Sequence, residues 1–195
     1  MKVDLTTREK ILALLASYHP QCVEQSGLCE QINNFVQDHP NCLGRDNFYG
    51  HVTASAWVID PAGEKALLTL HRKIGLWLQL GGHTEGDADL MAVAMREVKE
   101  ESGLSDLKPV IPGIFDLDVH RIPDIGQDPS HYHFDFRFFL QLQHDQPLII
   151  SEESIDLAWY TPEEILTLNT DASVKRLCQK WQQHVFAPEY VDYPL

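Results

Sequence analysis

The sequence predicts an α/β sandwich preceded by an N-terminal helical extension, and three observations support this prediction. From residue 50 onward, strand-like segments alternate with helix-like segments, as in layered α/β or α+β domains. The first 49 residues contain two helical patterns. The 195 residues are 44% hydrophobic and 23% charged, which suits a globular chain with a core. We expect the extension to span residues 1–49 and the main domain to span residues 50–195.

Two helices are expected in the extension. Residues 6–18 carry an apolar stripe, and either Thr6 or Thr7 can cap the start of this helix. A second helix over residues 22–37 ends shortly before Pro40, because the residue before a proline disfavours helical geometry. Three roles are open to this helix pair: a lid, a homodimer contact or additional packing.

The first half of the main domain combines two strands, a loop and a helix. Residues 51–60 and 65–72 are rich in β-branched and apolar side chains and flank a short turn. A long loop with several glycines is expected over residues 73–88. The next helix runs from about Asp89 to Ser102 and ends at Gly103, where a left-handed cap is expected.

The second half contains strands, a polar loop and two helices. A long polar loop of this kind often carries function, and proline at the first turn of a helix is favourable. In chain order we expect strands at about 110–118 and 132–143 with the polar loop 121–132 between them, a short strand at 155–160, and helices at 161–168 and 171–185.

Charge and composition limit the function classes. A net charge of −14, from 29 acidic and 15 basic residues, repels phosphate backbones and argues against broad nucleic-acid binding. A small phosphorylated substrate remains compatible, because a bound divalent cation inverts the charge locally. The first residues lack the apolar segment of a signal peptide, and no apolar run approaches membrane-spanning length. We therefore expect a cytoplasmic protein with reduced thiols at its four cysteines, Cys22, Cys29, Cys42 and Cys178.

The helix that ends at Gly103 carries three acids on one face. Glu97, Glu100 and Glu101 are spaced i, i+3 and i+4, which places them within an arc of roughly 100°. Carboxylates this close repel one another, and a hard cation such as Mg²⁺ or Mn²⁺ relieves the repulsion. A solvated acidic helix end is the plain alternative, although acids in a last turn oppose the helix dipole. Spacing alone leaves both interpretations open.

The segment from Gly82 to Leu104 resembles the Nudix box, G-x5-E-x7-R-E-U-x-E-E-x-G-U, in which U is aliphatic. The resemblance covers about residues 50–170, and it includes the approach Trp77-Leu78-x-x-Gly81-Gly82-His83 and the later Glu153 and Trp159. It implies a Nudix-type α/β/α sandwich with a mixed sheet. The matching box positions are Gly82, Arg96, Glu97, Val98, Glu100, Glu101, Gly103 and Leu104.

Two positions depart from the family pattern. The first glutamate of the box falls at Ala88, so Asp87 or Asp89 must cover its role or the role is absent. Leu80 stands where many family members have proline, which affects the stiffness of the loop more than its chemistry.

The resemblance implies a metal site and a reaction. The helix acids of Nudix proteins hold one to three divalent ions, so Glu97, Glu100 and Glu101 are the implied ligands of Mg²⁺ or Mn²⁺, with the Gly82 carbonyl as a further ligand. Arg96 is implied to orient one of these carboxylates through a bidentate pair. The implied reaction is attack of metal-activated water on the diphosphate linkage of a nucleoside diphosphate joined to another moiety.

Other acids are implied to assist this reaction. Glu85 resembles an acid that braces the box loop and pairs with Arg96. A general base must accept the proton of the water. The candidates for the base, in order of preference, are Glu97 or Glu101, then Glu153, then Glu152.

A strand with alternating polar residues offers further candidates. Side chains of His131, His133, Asp135 and Arg137 share one face if this segment is extended. That face can line a pocket or simply meet solvent. The His-x-His pattern with a nearby acid can also bind zinc, but no third ligand is evident from the sequence.

Cationic and histidine side chains near the box are candidates for contact with the substrate. Arg72 and Lys73 end a strand just before the box loop and can meet phosphates, with ordinary surface charge as the alternative. His83 directly follows the glycine pair and is expected near the metal. The substrate-binding candidates are Arg72, Lys73, His83, Glu85, His131, His133 and Arg137.

Two other functions are compatible with the resemblance. Isopentenyl diphosphate isomerase shares the Nudix fold but uses a catalytic cysteine and a separate histidine-rich metal site. The histidines of this chain favour that alternative, whereas the positions of its cysteines and the nearly intact box oppose it. A non-catalytic binding or regulatory domain is the third class, suggested by Ala88 and the extra helices.

Overall fold

A mixed β-sheet forms the centre of the protein. The computed structural model describes residues 6–124 and 129–186, with side chains as far as residue 184. Within this part, the strands are β1 (Gly50–Ile59), β2 (Ala66–His71), β3 (Trp77–Leu78), β4 (Leu80–His83), β5 (Leu107–Pro109), β6 (Asp116–Ile122), β7 (His131–Leu142) and β8 (Ser154–Tyr160). The helices are α1 (Thr7–Ala16), α2 (Val23–Asp38), α3 (Leu90–Ser102), α4 (Pro162–Thr167) and α5 (Ala172–Phe186).

The strand order makes the sheet mixed, as predicted. Strands pair in the order β3-β2-β1-β7-β5, while β4 pairs with β1, β6 with β7, and β8 with β2. The central pair β1 and β7 is parallel from Gly50 opposite Tyr132 to Ile59 opposite Gln141. The other pairs are antiparallel. Since β1 and β7 are the middle of the sheet, side chains on their two faces meet both helical layers.

Helices cover both faces of the sheet, which confirms the predicted α/β/α sandwich. Alternate residues of β1 point to opposite sides. Val52 and Val58 belong to the core cluster that contains α1, α2 and α3. Trp57 and Ile59 belong to the second cluster, which contains α4 and α5. In that second cluster Trp57 packs against Trp181 of α5 with ring centroids 6.0 Å apart.

The N-terminal helices pack into the core of the main domain. Ile11 of α1 and Ile32 and Val36 of α2 are fully buried in the same cluster as β1 and β7. Phe35 stacks on Phe134 of β7 with centroids 3.8 Å apart. The domain boundary that we predicted at residue 49 therefore runs through a continuous hydrophobic core. The N-terminal extension contributes side chains to this core, whatever other role it has.

Two local predictions differ from the structure. The predicted loop 73–88 contains the two short strands β3 and β4. Its glycine-rich sequence does not predict strands, because these residues become extended only by pairing with β2 and β1. The predicted strand at about 110–118 is instead the segment between β5 and β6, which contains Pro112 and Gly113, together with the first residues of β6. Proline cannot donate to the ladder, and Gly113 has a φ of 78°.

Helix α3 has the expected boundaries. The Asp89 side chain caps it by accepting a hydrogen bond from the Ala92 N–H, and Gly103 ends it with a φ of 74°. Parts of three other predictions lie outside the described residues: residues 1–5 of the extension, residues 125–128 of the polar loop and residues 187–195 of the main domain. None of the helices described here combines the length and apolarity needed to cross a membrane.

Candidate functional site

Strand β4 brings two glycines directly against the acids of α3. The Gly81 N–H donates a 2.8 Å hydrogen bond to Glu101 Oε1. A Cβ atom at position 82 would lie 2.5 Å from Glu97 Oε2. Any residue other than glycine would therefore displace the Glu97 carboxylate. Strand β4 is fixed there because it pairs with β1, with Gly82 opposite Ala54. The glycine pair and the helix acids therefore form one unit.

A cleft of about 310 Å³ opens beside this unit and contains acids from three parts of the chain. Its volume is at the lower end of the range for small-molecule sites. Glu153 reaches it from the turn before β8. The residues that line the cleft are Arg45, Gly82, His83, Glu85, Arg96, Glu97, Glu100 and Glu153.

Burial and mutual repulsion perturb the acids of α3. Burial raises the pKa of Glu101, which is 8% exposed, to about 8. The Gly81 N–H opposes this shift, while the charges of Glu97 and Glu153 add to it. Burial also raises the pKa of Glu97, against the lowering effect of Arg96. A divalent cation would stabilise all of these carboxylates in their charged form, so the donor set fits Mg²⁺ or Mn²⁺.

Arg96 connects α3 to β4. Its Nη2 donates to Glu97 Oε1 and to the His83 carbonyl, both at 2.7 Å. Its Nε lies 3.7 Å from Glu100 Oε1. The contact with Glu97 uses one nitrogen only, so the bidentate pair that we expected does not form. The arginine nevertheless holds one carboxylate against the strand that carries Gly82.

Glu85 pairs with an arginine that the sequence did not single out. Its Oε1 lies 3.0 Å from Arg45 Nη2, and both side chains are about 60% exposed. The same Arg45 nitrogen donates to His83 Nδ1 at 2.7 Å. The expected pair between Glu85 and Arg96 is therefore replaced by a link to the segment that follows α2. Nothing in the spacing of residues marks Arg45, because it lies 38 residues before His83 in the chain.

Two predicted phosphate contacts are placed elsewhere. The guanidinium of Arg72 donates to the carbonyls of Glu152 at 2.8 Å and Ser154 at 2.6 Å. Its backbone N–H donates to the Glu153 carbonyl at 2.9 Å. Lys73 is exposed and, like Arg72, is not among the described residues that line the cleft. Arg72 therefore positions the turn that carries Glu153, and neither Arg72 nor Lys73 lies in the cleft lining.

Arg137 lies in a buried ion-pair network, in contrast to the expected contact with substrate. Its side chain is 2% exposed and lies 2.8 Å from Asp135 and 3.1 Å from Asp118. Asp116 is 3.7 Å away and is also bound by Arg176 and Lys180 of α5. Because α5 covers this face of β7, the polar face is an interior one at this point.

Asp118 is the most perturbed carboxyl of this network. Burial acts to raise its pKa, but the hydrogen bond with His120 and the charges of Arg137 and Arg176 outweigh burial. Together they hold the pKa well below its usual range. The carboxyl of Asp118 is consequently charged at neutral pH.

Five histidines gather at the other end of the same polar face. His83 lines the cleft, and its ring centroid is 4.9 Å from that of His51. His131 and His133 of β7 and His120 of β6 complete the group. Burial, together with the charges of the neighbouring rings and, for His51 and His83, of Arg45, lowers the pKa of His51 and of His83 to about 4 and that of His133 to about 2. These three rings are therefore neutral near pH 7.

The departure from the box at Ala88 lies outside the cleft. Ala88 is partly buried against the main core and lines a second cavity beside α1, together with Lys10, Leu14 and Met91. The side chain of a glutamate at position 88 would begin on the side of α3 that faces α1. The missing acid therefore removes no group from the lining of the cleft.

Comparisons with known proteins agree with the geometry. The model of the NUDIX domain matches residues 50–181. A Clostridium perfringens hydrolase of the NUDIX family is 26% identical, and the match covers 68% of this chain and 96% of that chain with a TM-score of 0.51. A C. elegans Ap4A hydrolase binary complex is 18% identical, with 69% and 98% covered and a TM-score of 0.52. The NUDIX domain of Shewanella oneidensis NrtR complexed with ADP ribose is 14% identical, with 69% and 87% covered and a TM-score of 0.50. Among curated proteins, no significant match is found.

Proposed function

Since the chain belongs to the Nudix family and is an enzyme of the pyrophosphohydrolase class, we propose that it hydrolyses a nucleoside diphosphate linked to another moiety, with Mg²⁺ or Mn²⁺ as cofactor. One observation carries the proposal: the acids of α3 lie against the glycine pair of β4, where Glu101 accepts a hydrogen bond from the Gly81 N–H, and Glu97 and Glu153 line one cleft. Two neighbours of the fold, named as an Ap4A hydrolase and as a domain bound to ADP ribose, support this substrate class.

The acids of α3 are the groups that would hold the cation. Glu97, Glu100 and Glu101 offer carboxylate oxygens within one helical turn, and the Gly82 carbonyl is a further candidate. The bound ion would activate water and stabilise charge on the phosphoryl oxygens. Arg96 keeps Glu97 in place, because its one nitrogen bridges Glu97 and the His83 carbonyl.

The proton of the attacking water goes to a carboxylate in or beside the cleft, since Glu97 and Glu153 line it and Glu101 lies close to Glu97. Glu101 and Glu97 are the first candidates, because burial already favours a bound proton on each of them. Glu153 is the second candidate. Its turn is fixed by three hydrogen bonds from Arg72, so its carboxylate is held at the cleft edge. Glu152, the third acid in our order, precedes it in the same turn but is not among the described cleft-lining residues.

Purified protein with Mg²⁺ or Mn²⁺ and a panel of dinucleoside polyphosphates and nucleotide sugars tests this proposal, with products followed by phosphorus NMR. We expect cleavage of the diphosphate linkage, and a loss of at least about 100-fold in Glu101→Gln. Glu100→Gln should weaken the response to metal. Glu30→Gln, an exposed acid of helix α2, is the matched control and should leave the rate unchanged.

Three outcomes would contradict hydrolysis at this site. Unchanged rates in both Glu100→Gln and Glu101→Gln would remove the metal-binding role of α3. Ligand binding without turnover of any panel member would favour a regulatory domain. Interconversion of isopentenyl and dimethylallyl diphosphate would favour the isomerase, although in the described part of the chain no cysteine lines the cleft.

A further inference from the structure

We propose that His51, His131 and His133 form a second metal site, for a borderline transition-metal ion such as Zn²⁺, next to the carboxylate cleft. One potential ligand nitrogen from each ring lies within 4.8 Å of the others. The sequence suggested the His-x-His pair but showed no third ligand. The structure supplies His51 from β1, 80 residues earlier in the chain. This site is independent of the proposed hydrolysis, because none of its three residues is an acid of α3.

The strand register explains why the three rings converge. Strands β1 and β7 run parallel with His51 directly opposite His133, so the two side chains project from the same face. His131 lies two residues earlier on β7 and therefore points to that face as well. The ring centroid of His51 lies 4.8 Å from the ring centroid of His131 and 4.8 Å from that of His133. The cluster is thus set by backbone pairing and not by flexible loops.

The separation of the ring nitrogens matches shared coordination. His131 Nε2 lies 3.2 Å from His133 Nε2. Two nitrogens bound to one tetrahedral zinc ion, each at about 2.0–2.1 Å, are about 3.3 Å apart. A chain of hydrogen bonds between neutral rings is the alternative, and it requires one of the two Nε2 atoms to carry a proton.

The backbone fixes the tautomer that a metal ligand needs. His131 Nδ1 lies 2.9 Å from the Pro129 carbonyl, which can only accept, so Nδ1 carries the proton. The lone pair of His131 therefore lies on Nε2, the atom that faces His133. Support of the distal nitrogen by a carbonyl is the usual arrangement around metal-binding histidines.

His51 provides the independent observation that points to a ligand. It is 3% exposed, and within the described residues both of its ring nitrogens lack a hydrogen-bond partner. A buried polar group without a hydrogen-bond partner is energetically unfavourable. A metal ion coordinated by one nitrogen removes this cost. The imidazoles of His51 and His133 are neutral near pH 7, which is the form that coordinates metal.

The fourth nearby ring is engaged differently. His83 Nδ1 accepts a hydrogen bond from Arg45, so that nitrogen is not available to the ion. Three histidine ligands leave a fourth position open, and in zinc proteins such a position takes water or substrate. Since His83 also lines the carboxylate cleft, this open position adjoins the place where phosphate would bind.

Zinc binding to the metal-free full-length protein tests the site. Isothermal titration is performed with Zn²⁺ in millimolar Mg²⁺, which occupies oxygen-ligand sites but competes poorly for imidazole. We expect one Zn²⁺ per chain, and a loss of affinity of at least about 100-fold in His133→Gln. Co²⁺ in place of Zn²⁺ should give the visible absorption of a tetrahedral nitrogen site. His144→Gln is the matched control, because His144 is 81% exposed and lies outside the group.

Folding is checked separately from binding. His131→Gln changes a partly exposed residue at the start of β7, and circular dichroism should show native secondary structure in this variant. Zn²⁺ should raise the melting temperature of the unmodified protein but not that of His131→Gln. The proposal is overturned if Zn²⁺ does not bind in the presence of Mg²⁺, or if both histidine variants bind it as tightly as the unmodified protein.

Discussion

Replacement of Arg137 by methionine should destabilise the protein strongly without acting on the substrate. The guanidinium is 2% exposed and pairs with Asp135 at 2.8 Å and Asp118 at 3.1 Å. Methionine fills a similar volume but leaves these carboxylates without their shared cation. Asp135 would keep only the hydroxyl donors of Thr53 at 3.0 Å and Ser55 at 2.7 Å.

The loss of stability depends on which carboxylates keep another cationic partner when Arg137 is replaced. Asp116 retains Lys180 at 2.7 Å and Arg176 at 2.9 Å, so the uncompensated charge is mainly that of Asp135. Removing one partner of a buried ion pair costs about 3–5 kcal/mol. For a chain of this length the corresponding fall in melting temperature is roughly 6–20 °C. The double variant Asp135→Asn/Arg137→Met should recover part of this loss, because it removes the stranded charge.

Urea unfolding at pH 7, followed by circular dichroism, measures this effect, and steady-state kinetics are measured in parallel. Arg121→Met is the matched control, because Arg121 is an exposed arginine on the neighbouring strand β6 and should shift stability by less than about 0.5 kcal/mol. A loss below about 1 kcal/mol in Arg137→Met, combined with a raised KM, would refute the structural role. That result would instead support the contact between Arg137 and the substrate that the sequence suggested.

Three further predictions concern the cleft and the network beneath it. Gly82→Ala should lower kcat by about 100-fold with little change in stability, because the new Cβ atom displaces the Glu97 carboxylate. Gly27→Ala in the open space along α2 should instead keep the rate and stabilise the protein by up to about 1 kcal/mol, as urea unfolding would show. Asp118→Asn should cost about 1.5–3 kcal/mol at pH 7. Since the folded-state pKa of Asp118 is depressed, its charge stabilises the fold above the unfolded value near 3.9, and this stabilisation is lost as pH falls below it. The difference in urea midpoint between the variant and the unmodified protein should therefore be constant above about pH 5 and should narrow progressively as pH falls below about 4 towards the depressed folded-state pKa, and a difference that stays constant below about pH 4 would contradict this. Arg45→Ala should raise KM and leave stability within about 0.5 kcal/mol, because its ion pair is exposed; an unchanged KM would exclude a role in binding.

Local sequence patterns predicted the carboxylate helix well. The spacing of Glu97, Glu100 and Glu101 and the cap at Gly103 are properties of a single helix, so they can be recognised without knowledge of the fold. The family resemblance implied that the Gly82 carbonyl binds the same metal ion as these acids, but it did not predict the hydrogen bond from Gly81 to Glu101. The strand at Leu80–His83 was not predicted, because it depends on pairing with β1.

Contacts between distant segments account for what the sequence did not reveal. Alternation along β7 correctly placed His133 and Arg137 on one face, but burial of that face depends on α5, which follows much later. The third histidine became visible only through the parallel register with β1. Arg45 enters the cleft from the segment after α2, where neither its neighbours nor its spacing indicates a function.

The polar residues of β7 also determine how this strand aligns with β1. A slip of two residues preserves the alternation of inward and outward side chains, so the apolar pattern alone cannot distinguish it from the native alignment. In one direction, such a slip would move Arg137 from its place opposite Ser55 to a place opposite the buried Trp57. In either direction it would separate His133 from His51. The buried charged side chains and imidazoles thus help to specify the register of β1 and β7. We expect them to suppress misregistered pairing of these two central strands during folding.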